Sequence, residues 1–442
     1  MKYPAKPPNW KSLLSNTFEK LGPAMNTPTD ELPDSEKYLH WDKLKYRNRP
    51  KNWSSEEWWT VLKFHRNSRY QHLEFKDSKG NPFVFYLTQH IFQLIHQLDK
   101  KCGGTLSANV KPDGIEINSK RYYISSLIEE SITSSQLEGA SVTREIASNM
   151  LRQNSTPKNK DEQMILNNFL TMKKIHALKD QDLSQDLILQ IHSLMTKGTL
   201  EKPDAAGRYR LKSEDIQVVD QTTNEIMHSP PNADLLPERM EKLCEFANHP
   251  EMQGYLHPII RAVILHFWLA YEHPFYDGNG RTARALFYWC MLKHGYWMME
   301  YISLSSELLK APIQYYRAFL YTETDENDLN YFIIHQLEAL DKAVSSLHSY
   351  IERKQHQQQE LATTLLGMRK WNHRQKALLS HAVRNNHAVY SIASHQTSHG
   401  ITNQTARTDL LSLSEAELLV KEKDGKAFLF YPAEGLAKLL RE

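Results

Sequence analysis

The sequence predicts a mainly α-helical chain. One β-hairpin sits among its helices, a small α/β domain precedes them, and a domain of helices and a hairpin follows. Three observations predict this. Apolar residues recur at three and four along "DLILQIHSLMTKG", "PIIRAVILHFWLAYEH" and "RTARALFYWCMLKHG", the spacing of one helix face. "DIQVVDQTTNEIMHSPP" breaks that period with alternation and β-branched residues around a polar turn, which reads as a hairpin. At 442 residues the chain has room for two or three domains.

Residues 1–36 carry several prolines and no clear period, so an extended arm is expected there. Residues 37–107 read as an accessory α/β domain. In it "HLEFKDSKGNPFVFYLTQ" gives two strands around a polar turn, and a helix follows in "TQHIFQLIHQLDKK". Residues 108–345 are the helical core, with the hairpin inside it. Residues 346–366 are polar and Gln-rich, which suits a solvated linker helix. From 367 to 442 the pattern is helix, helix, helix, hairpin, with an Asp-Gly turn in "LVKEKDGKAFLFYP". That order resembles a winged helix-turn-helix.

Composition narrows the function classes. Hydrophobic residues make up 40% of the chain and its net charge is +2. Its mean hydropathy is −0.60. No global field calls for nucleic acid or membrane, so any anion binding must come from local placement. Cys102, Cys244 and Cys290 are widely spaced, without CxxC. This argues for a reducing compartment rather than a disulfide scaffold. The first ten residues, "MKYPAKPPNW", lack an apolar stretch of signal type. Windows such as "AVILHFWLAY" are too short to span a bilayer. A cytoplasmic protein without membrane contact is expected.

The chemistry concentrates in "HPFYDGNGRTAR", His273 to Arg284. Pro274 must stop the helix before it, because proline disfavours helical backbone in the preceding residue. A Gly-Asn-Gly loop opening onto the next helix presents successive backbone N–H groups, an anion nest aided by the helix dipole. Arg281 and Arg284, three apart, share a face. Cations at a helix N-terminus are disfavoured by about 0.3–1 kcal/mol each, so two there make sense with an anion between them. Asp277 offers a hard oxygen ligand of the kind Mg²⁺ prefers. His273 can accept a proton near neutral pH. Phe275 anchors the loop to the core. Nest, metal ligand, counter-charges and base together suit nucleophilic attack on a phosphate. A lone Gly-Asn-Gly would be an ordinary turn; all twelve residues in this order are not. His257 and His266, on the preceding helix, are read as packing or capping residues.

The stretch is similar to the signature HPFx[D/E]GNGRxxR of Fic domain proteins, without a mismatch. "LHPIIRAVILHFWLAYEHPF", "GRYR" with the hairpin, and "ISLSSELLKAPIQYYRAFL" also resemble that family, over roughly residues 120 to 345. The resemblance implies a Fic-type helical core with the hairpin as its flap. It implies transfer of AMP from ATP to a Tyr, Thr or Ser hydroxyl of a target protein, and self-modification. His273 would be the base. Asp277 would hold Mg²⁺. The ATP site would comprise Phe275, Asp277, Gly278, Asn279, Gly280, Arg281, Arg284 and Tyr316. Of these, the Gly278–Gly280 backbone would form the anion hole, and Arg284 would meet the γ-phosphate. Tyr315 and Tyr316 resemble the family's tyrosine pair near the adenosine. The flap, with Ile216, Val218, Val219 and Ile226, would clamp the target by strand addition. A homodimer is plausible on the same ground.

"SSQLEG", Ser134 to Gly139, fits the family's inhibitory pattern [S/T]xxxE[G/N] on a helix at about 123–139. Ser134 and Glu138 lie one turn apart on one face, and Gly139 can end the helix. Glu138 could then pair bidentately with Arg284 and deny it to ATP. The resemblance leaves two other reactions open, removal of AMP and transfer of another phosphate-containing group. The tail supplies a rival of a different class, a DNA-binding regulator. Its expected recognition helix, 402–419, holds Arg407 but also Asp409, Glu415 and Glu417, and phosphate contact needs a net basic surface. Lys421, Lys423 and Lys426, with Arg374, Lys376 and Arg384, partly restore the balance.

Overall fold

The computed structural model describes all residues except 1, 27–37, 48, 50, 103–118, 221–222, 250–253, 369, 385–387, 425–426 and 441–442. The chain divides into two compact units, Met1–Leu347 and His348–Glu442.

The first unit is built on two adjacent helices, α9 (Pro258–Glu272) and α10 (Asn279–Lys293). Both are buried nearly all round: Ile260, Ile264, Leu265, Leu286 and Trp289 are fully buried, as expected of helices at the centre of a domain. Proline at N1 and the His257 side chain start α9. Around this pair lie α4 (Ser119–Leu137), α6 (Lys160–Leu178), α7 (Gln185–Thr196) and α8 (Leu236–Asn248). A short helix α5 (Arg144–Gln153) joins α4 to α6, and α11 (Leu304–Lys310) and α12 (Pro312–Thr324) follow α10. The sheet content of this unit is small. β1 (Gln71–Lys76) pairs antiparallel with β2 (Pro82–Phe85), and β3 (Val218–Val219) with β4 (Ile226–His228). The second pair is the hairpin read from the alternation, shorter than its sequence pattern; residues 221–222 at its turn lie outside the described residues.

Three parts of the domain reading change. The lead-in holds a helix, α1 (Trp10–Met25), capped by Asn9, where an extended arm is expected. Gly22, Pro23 and a break at Thr17 hide its period. Trp10, Leu21 and Met25 share a core with Trp58 and Trp59 of α2 (Ser55–Asn67). The β1–β2 pair also does not stand apart as an accessory domain. Phe75 stacks on Trp268 of α9 at 4.4 Å between ring centroids, and helix α3 (Gln89–Cys102) is tied back through Lys101 to Asp341 at 2.8 Å. Buried polar links complete the attachment: Lys63 pairs with Asp325 at 2.8 Å, and Tyr70 donates to Asp328 at 2.6 Å. The linker helix is likewise the continuation of a longer one, α13 (Asn330–Gly367).

Among its described residues the second unit combines helices with a three-stranded antiparallel sheet. Helix α14 (His373–Arg384) is followed by β5 (Tyr390–Ser391), α15 (Ile392–His399), α16 (Asn403–Glu415), β6 (Leu419–Asp424) and β7 (Ala427–Pro432). The sheet order is β5-β7-β6. Leu379, Leu410, Leu413 and Phe430 form its core. Lys426 lies outside the described residues. Among the described residues no helix is long and apolar enough to cross a membrane.

Candidate active site

The loop between α9 and α10 is held from three sides. His273 ends α9 in the left-handed region (φ 46°, ψ 54°), its N–H still bonded to Leu269 O. This turns the chain before Pro274 and leaves the imidazole half-buried. Inside the loop Asn279 works as a staple. Its Oδ1 accepts from Phe275 N–H at 2.9 Å, and its Nδ2 donates to Phe275 O at 2.9 Å. Beneath the loop, Phe275 is fully buried and stacked on His192 of α7 at 3.7 Å between centroids, with the rings 3° from parallel. The Phe275 and Asn279 side chains thus build the loop.

Three residues outside the motif fix its shape. The Nδ1 of His192 accepts from Gly207 N–H at 3.1 Å, which sets the tautomer. Its Nε2–H then donates to Asp277 O at 2.9 Å. Burial pushes its pKa down to about 4, so the ring is neutral. Arg210, 7% exposed, donates from Nε to His273 O at 2.8 Å, and its own N–H bonds Pro274 O at 2.8 Å. His228, at the end of β4, donates to Tyr271 O at 2.7 Å and pairs with Glu323 of α12 at 2.8 Å. This secures the hairpin beside His273. Burial works against protonation of His228, but the Glu323 carboxylate outweighs it and its pKa is raised.

His273 itself stays neutral. Desolvation, then the charges of His228 and Arg210, push its pKa down to about 3. Its Nδ1 lies 3.3 Å from Ala270 O, an arrangement that leaves Nε2 as the acceptor. Asp277, with its side chain 46% exposed, lies 3.7 Å from Arg281 Nη2.

Gly278 is required twice over. Its φ of +84° is in the left-handed region, and a Cβ would lie 2.7 Å from the Thr196 methyl. The first intrahelical bond of α10 runs from Thr282 N–H to Gly278 O. The amides of Asn279, Gly280 and Arg281 therefore precede any intrahelical partner, and the N-terminal nest points out of the loop. Both arginines are 1% exposed. Arg281 donates to Met195 O at 3.2 Å, yet its Nε and Nη2, and Arg284 Nη1, are buried without a hydrogen-bond partner. Unpaired buried guanidinium donors are costly, and an anion at this mouth would satisfy them.

The last turn of α4 closes over this mouth. Arg284 donates from Nε to Ser134 Oγ at 2.8 Å and from Nη2 to Ser134 O at 2.9 Å and Glu138 Oε1 at 2.8 Å. The contact is a clamp on two residues, not the two-oxygen pairing with Glu138 expected from sequence. The Glu138 carboxylate also lies directly against Gly280, where a Cβ would collide with it. Gly139 takes φ +93° just beyond the helix end. Helix α4 is anchored deeper by Glu130, which accepts from Tyr288 OH at 2.9 Å, Ser303 Oγ at 2.9 Å and Ser305 N–H at 3.0 Å. The tyrosine pair divides. Tyr315 is buried with its hydroxyl 2.9 Å from His266 Nε2, while Tyr316, 40% exposed, donates to Leu137 O at 2.8 Å. On the β3–β4 hairpin, Val219 and Ile226 face each other in register. They are 46% and 50% exposed, whereas Ile216 and Val218 are half-buried.

Among the described residues no cluster of three His, Cys, Asp or Glu side chains could hold a metal ion. Asp277 can still serve Mg²⁺ as one carboxylate ligand, since Mg²⁺ is commonly bound by one or two carboxylates together with substrate phosphates.

Residues 182–291 match the Fic/DOC family. The chain is 35% identical over 120 residues to a protein adenylyltransferase Fic of Nematostella vectensis, across 27% of this chain and 25% of that protein. It is 38% identical over 69 residues to one of Drosophila willistoni, across 16% of this chain and 14% of that protein. The chain thus spans a quarter or less of these relatives' length. A Fic family protein of Desulfovibrio desulfuricans G20 superposes with a TM-score of 0.53 at 19% identity, covering 78% of this chain and 96% of that one. That likeness shows the fold.

Proposed function

Residues 182–291 are a Fic/DOC family domain, and from that premise we propose that the protein is an adenylyltransferase carrying AMP from ATP to a hydroxyl side chain of a protein target. The observation that carries this reading is the nest at Gly278–Arg281, walled by buried arginine donors without partners and bordered by a neutral histidine.

In this reading His273 Nε2 takes the proton of the target hydroxyl. The hydroxyl oxygen attacks the α-phosphorus, the bond to the bridging oxygen breaks, and pyrophosphate leaves. Asp277 would hold Mg²⁺ against the phosphates, and the bound ion would offset their charge. The first-turn amides of α10 and Arg281 stabilise the charge that builds on the α- and β-phosphates. Arg284 receives the γ-phosphate. The exposed edge at Val219 and Ile226 supports pairing with an extended segment of the target, main chain to main chain. The same chemistry would label any hydroxyl of the protein's own that reaches the site.

Glu138 restrains the reaction. It holds Arg284 and covers Gly280, so the γ-phosphate and the carboxylate compete for one guanidinium. The Tyr316 hydroxyl, held by Leu137 O, becomes available for the nucleoside when α4 lets go.

The test uses Glu138→Gly protein with Mg²⁺, a cell lysate and ATP labelled at either the α- or the γ-phosphate. The α-label should stay on protein, the γ-label should leave as pyrophosphate, and Glu138→Gly/His273→Ala should retain neither. Retention of the γ-label would make the protein a kinase, and retention of neither label by Glu138→Gly would reject transfer of AMP.

A further inference from the structure

The second unit carries a face that the transfer chemistry does not use. Helices α15 and α16 are joined by Gly400, Ile401 and Thr402, with Gly400 at φ +60° and Thr402 capping α16. Two helices joined by a three-residue, glycine-containing turn form a helix-turn-helix unit.

Of the three acids that count against nucleic acid in the sequence, Asp409 points away from this face. Asp409 is 4% exposed. It accepts from Arg374 Nε at 2.8 Å, from Asn372 Nδ2 at 2.8 Å, and faces His395 Nε2 at 3.2 Å. The inner side of α16 is then Ala406, Asp409, Leu410 and Leu413, all buried. Its outer side over the first two turns is Asn403, Gln404, Arg407 and Thr408, all exposed. No acidic side chain lies on that side before Glu415. Further along, β6 exposes Lys421 and Lys423. Two residues apart, they project from one face of the strand, with Glu422 on the other.

We propose that this unit binds duplex DNA, with the N-terminal half of α16 in the major groove and Lys421 and Lys423 on the phosphate backbone. The residue types fit the task. Asn and Gln pair with adenine edges, Arg with guanine, and a hydroxyl with either. The N-terminal residues of a recognition helix are the ones that reach bases. The charge also fits: residues 367–442 hold eleven Lys and Arg against seven Asp and Glu, in a chain with 54 against 52. The chain's small positive balance is concentrated in this unit. The proposal is independent of the reaction at His273.

The test is fluorescence anisotropy of a labelled random-sequence duplex of about 25 base pairs with the full chain, between about 50 and 200 mM salt, a range over which phosphate contacts lose affinity steeply. Binding should weaken with salt. Lys421→Ala/Lys423→Ala should weaken it and lower the salt slope by about two, one per phosphate contact. Arg407→Ala should cost about tenfold or more at a preferred sequence. These side chains are exposed, and circular dichroism would confirm that the variants keep the fold. No binding at 50 mM salt, or equal binding by all variants, would overturn the proposal. So would a duplex RNA that competes better than DNA, or self-association lost in Arg407→Ala without DNA binding, which would make the face a protein contact.

Discussion

Arg284 reaches two residues of one helical turn: its Nε lies 2.8 Å from Ser134 Oγ and its Nη2 lies 2.8 Å from Glu138 Oε1. A single guanidinium, 1% exposed, thus fastens the end of α4 over the first turn of α10. In the proposed reaction the α4 end and the γ-phosphate would draw on the same guanidinium.

Ser134→Ala should loosen this clamp without opening it. The variant loses a hydrogen bond to a charged group, about 1.5–3 kcal/mol, but keeps the Ser134 carbonyl and the Glu138 carboxylate. AMP transfer should rise by about tenfold, the lower end of that range, and stay below the rise in Glu138→Gly. A Ser134→Ala rate equal to that of Glu138→Gly would mean that the carboxylate adds nothing.

Gly280→Ala separates release of the clamp from use of the nest. The backbone at Gly280 is not in the left-handed region, but its Cβ would strike the Glu138 carboxylate. That end of the side chain can swing away, so the variant should fold and lose the Glu138–Arg284 pair. The same methyl group stands where phosphate would approach the amides. Gly280→Ala should therefore show no gain in activity, and adding Gly280→Ala to Glu138→Gly should abolish the gain there. A double variant as active as Glu138→Gly would place the phosphates elsewhere.

His192→Phe tests positioning from beneath the loop. The ring stack on Phe275 is kept, while the bonds to Asp277 O and from Gly207 N–H are lost. A buried carbonyl left unpaired costs about 1–3 kcal/mol. In the Glu138→Gly background the KM for Mg²⁺-ATP should rise by about tenfold or more, with a smaller fall in kcat. Equal loss of kcat with KM unchanged would point to a role in the chemical step instead.

The pH profile follows from His273. A general base acts in its neutral form, and burial with His228 and Arg210 lowers the pKa of His273 to about 3. As pH falls, the neutral form is lost only on passing that lowered value, not at the ordinary value near 6.5. The kcat/KM of Glu138→Gly should therefore stay level from about pH 8 to about pH 5.5. A half-loss centred near 6.5 would show that the base is not held as the structure has it.

Some of this was legible in the sequence because the information is local. Pro274, Gly278 and the two arginines lie within one stretch of eleven residues, and Ser134 and Glu138 share a helix face by spacing alone. The flap hairpin was legible from its alternation. The roles of His192, Arg210 and His228 were not, because each acts on the His273 loop from another element; Arg210 lies in the quoted GRYR, but its bonds to His273 O and Pro274 O arise only in the fold. The direction of a side chain was equally hidden: Tyr315 and Tyr316 are neighbours, and only packing sends one to His266 and the other to Leu137. The same applies to Asp409, which counts as a surface acid in a list of charges and is an inward ligand of Arg374 in the fold. Helix α1 escaped because Gly22 and Pro23 read as breakers although tryptophan packing holds the helix.

The central claim is that Glu138 and the γ-phosphate compete for Arg284. It is tested most directly by AMP incorporation from labelled ATP and Mg²⁺, comparing wild type, Glu138→Gly and a His273→Ala control. A hydrogen bond to a charged group is worth up to about 3 kcal/mol, and the Glu138 side chain is 25% exposed, so freeing Arg284 for ATP should raise incorporation by up to about a hundredfold over wild type, with His273→Ala at background. Equal incorporation by wild type and Glu138→Gly, both above the His273→Ala control, would contradict the account.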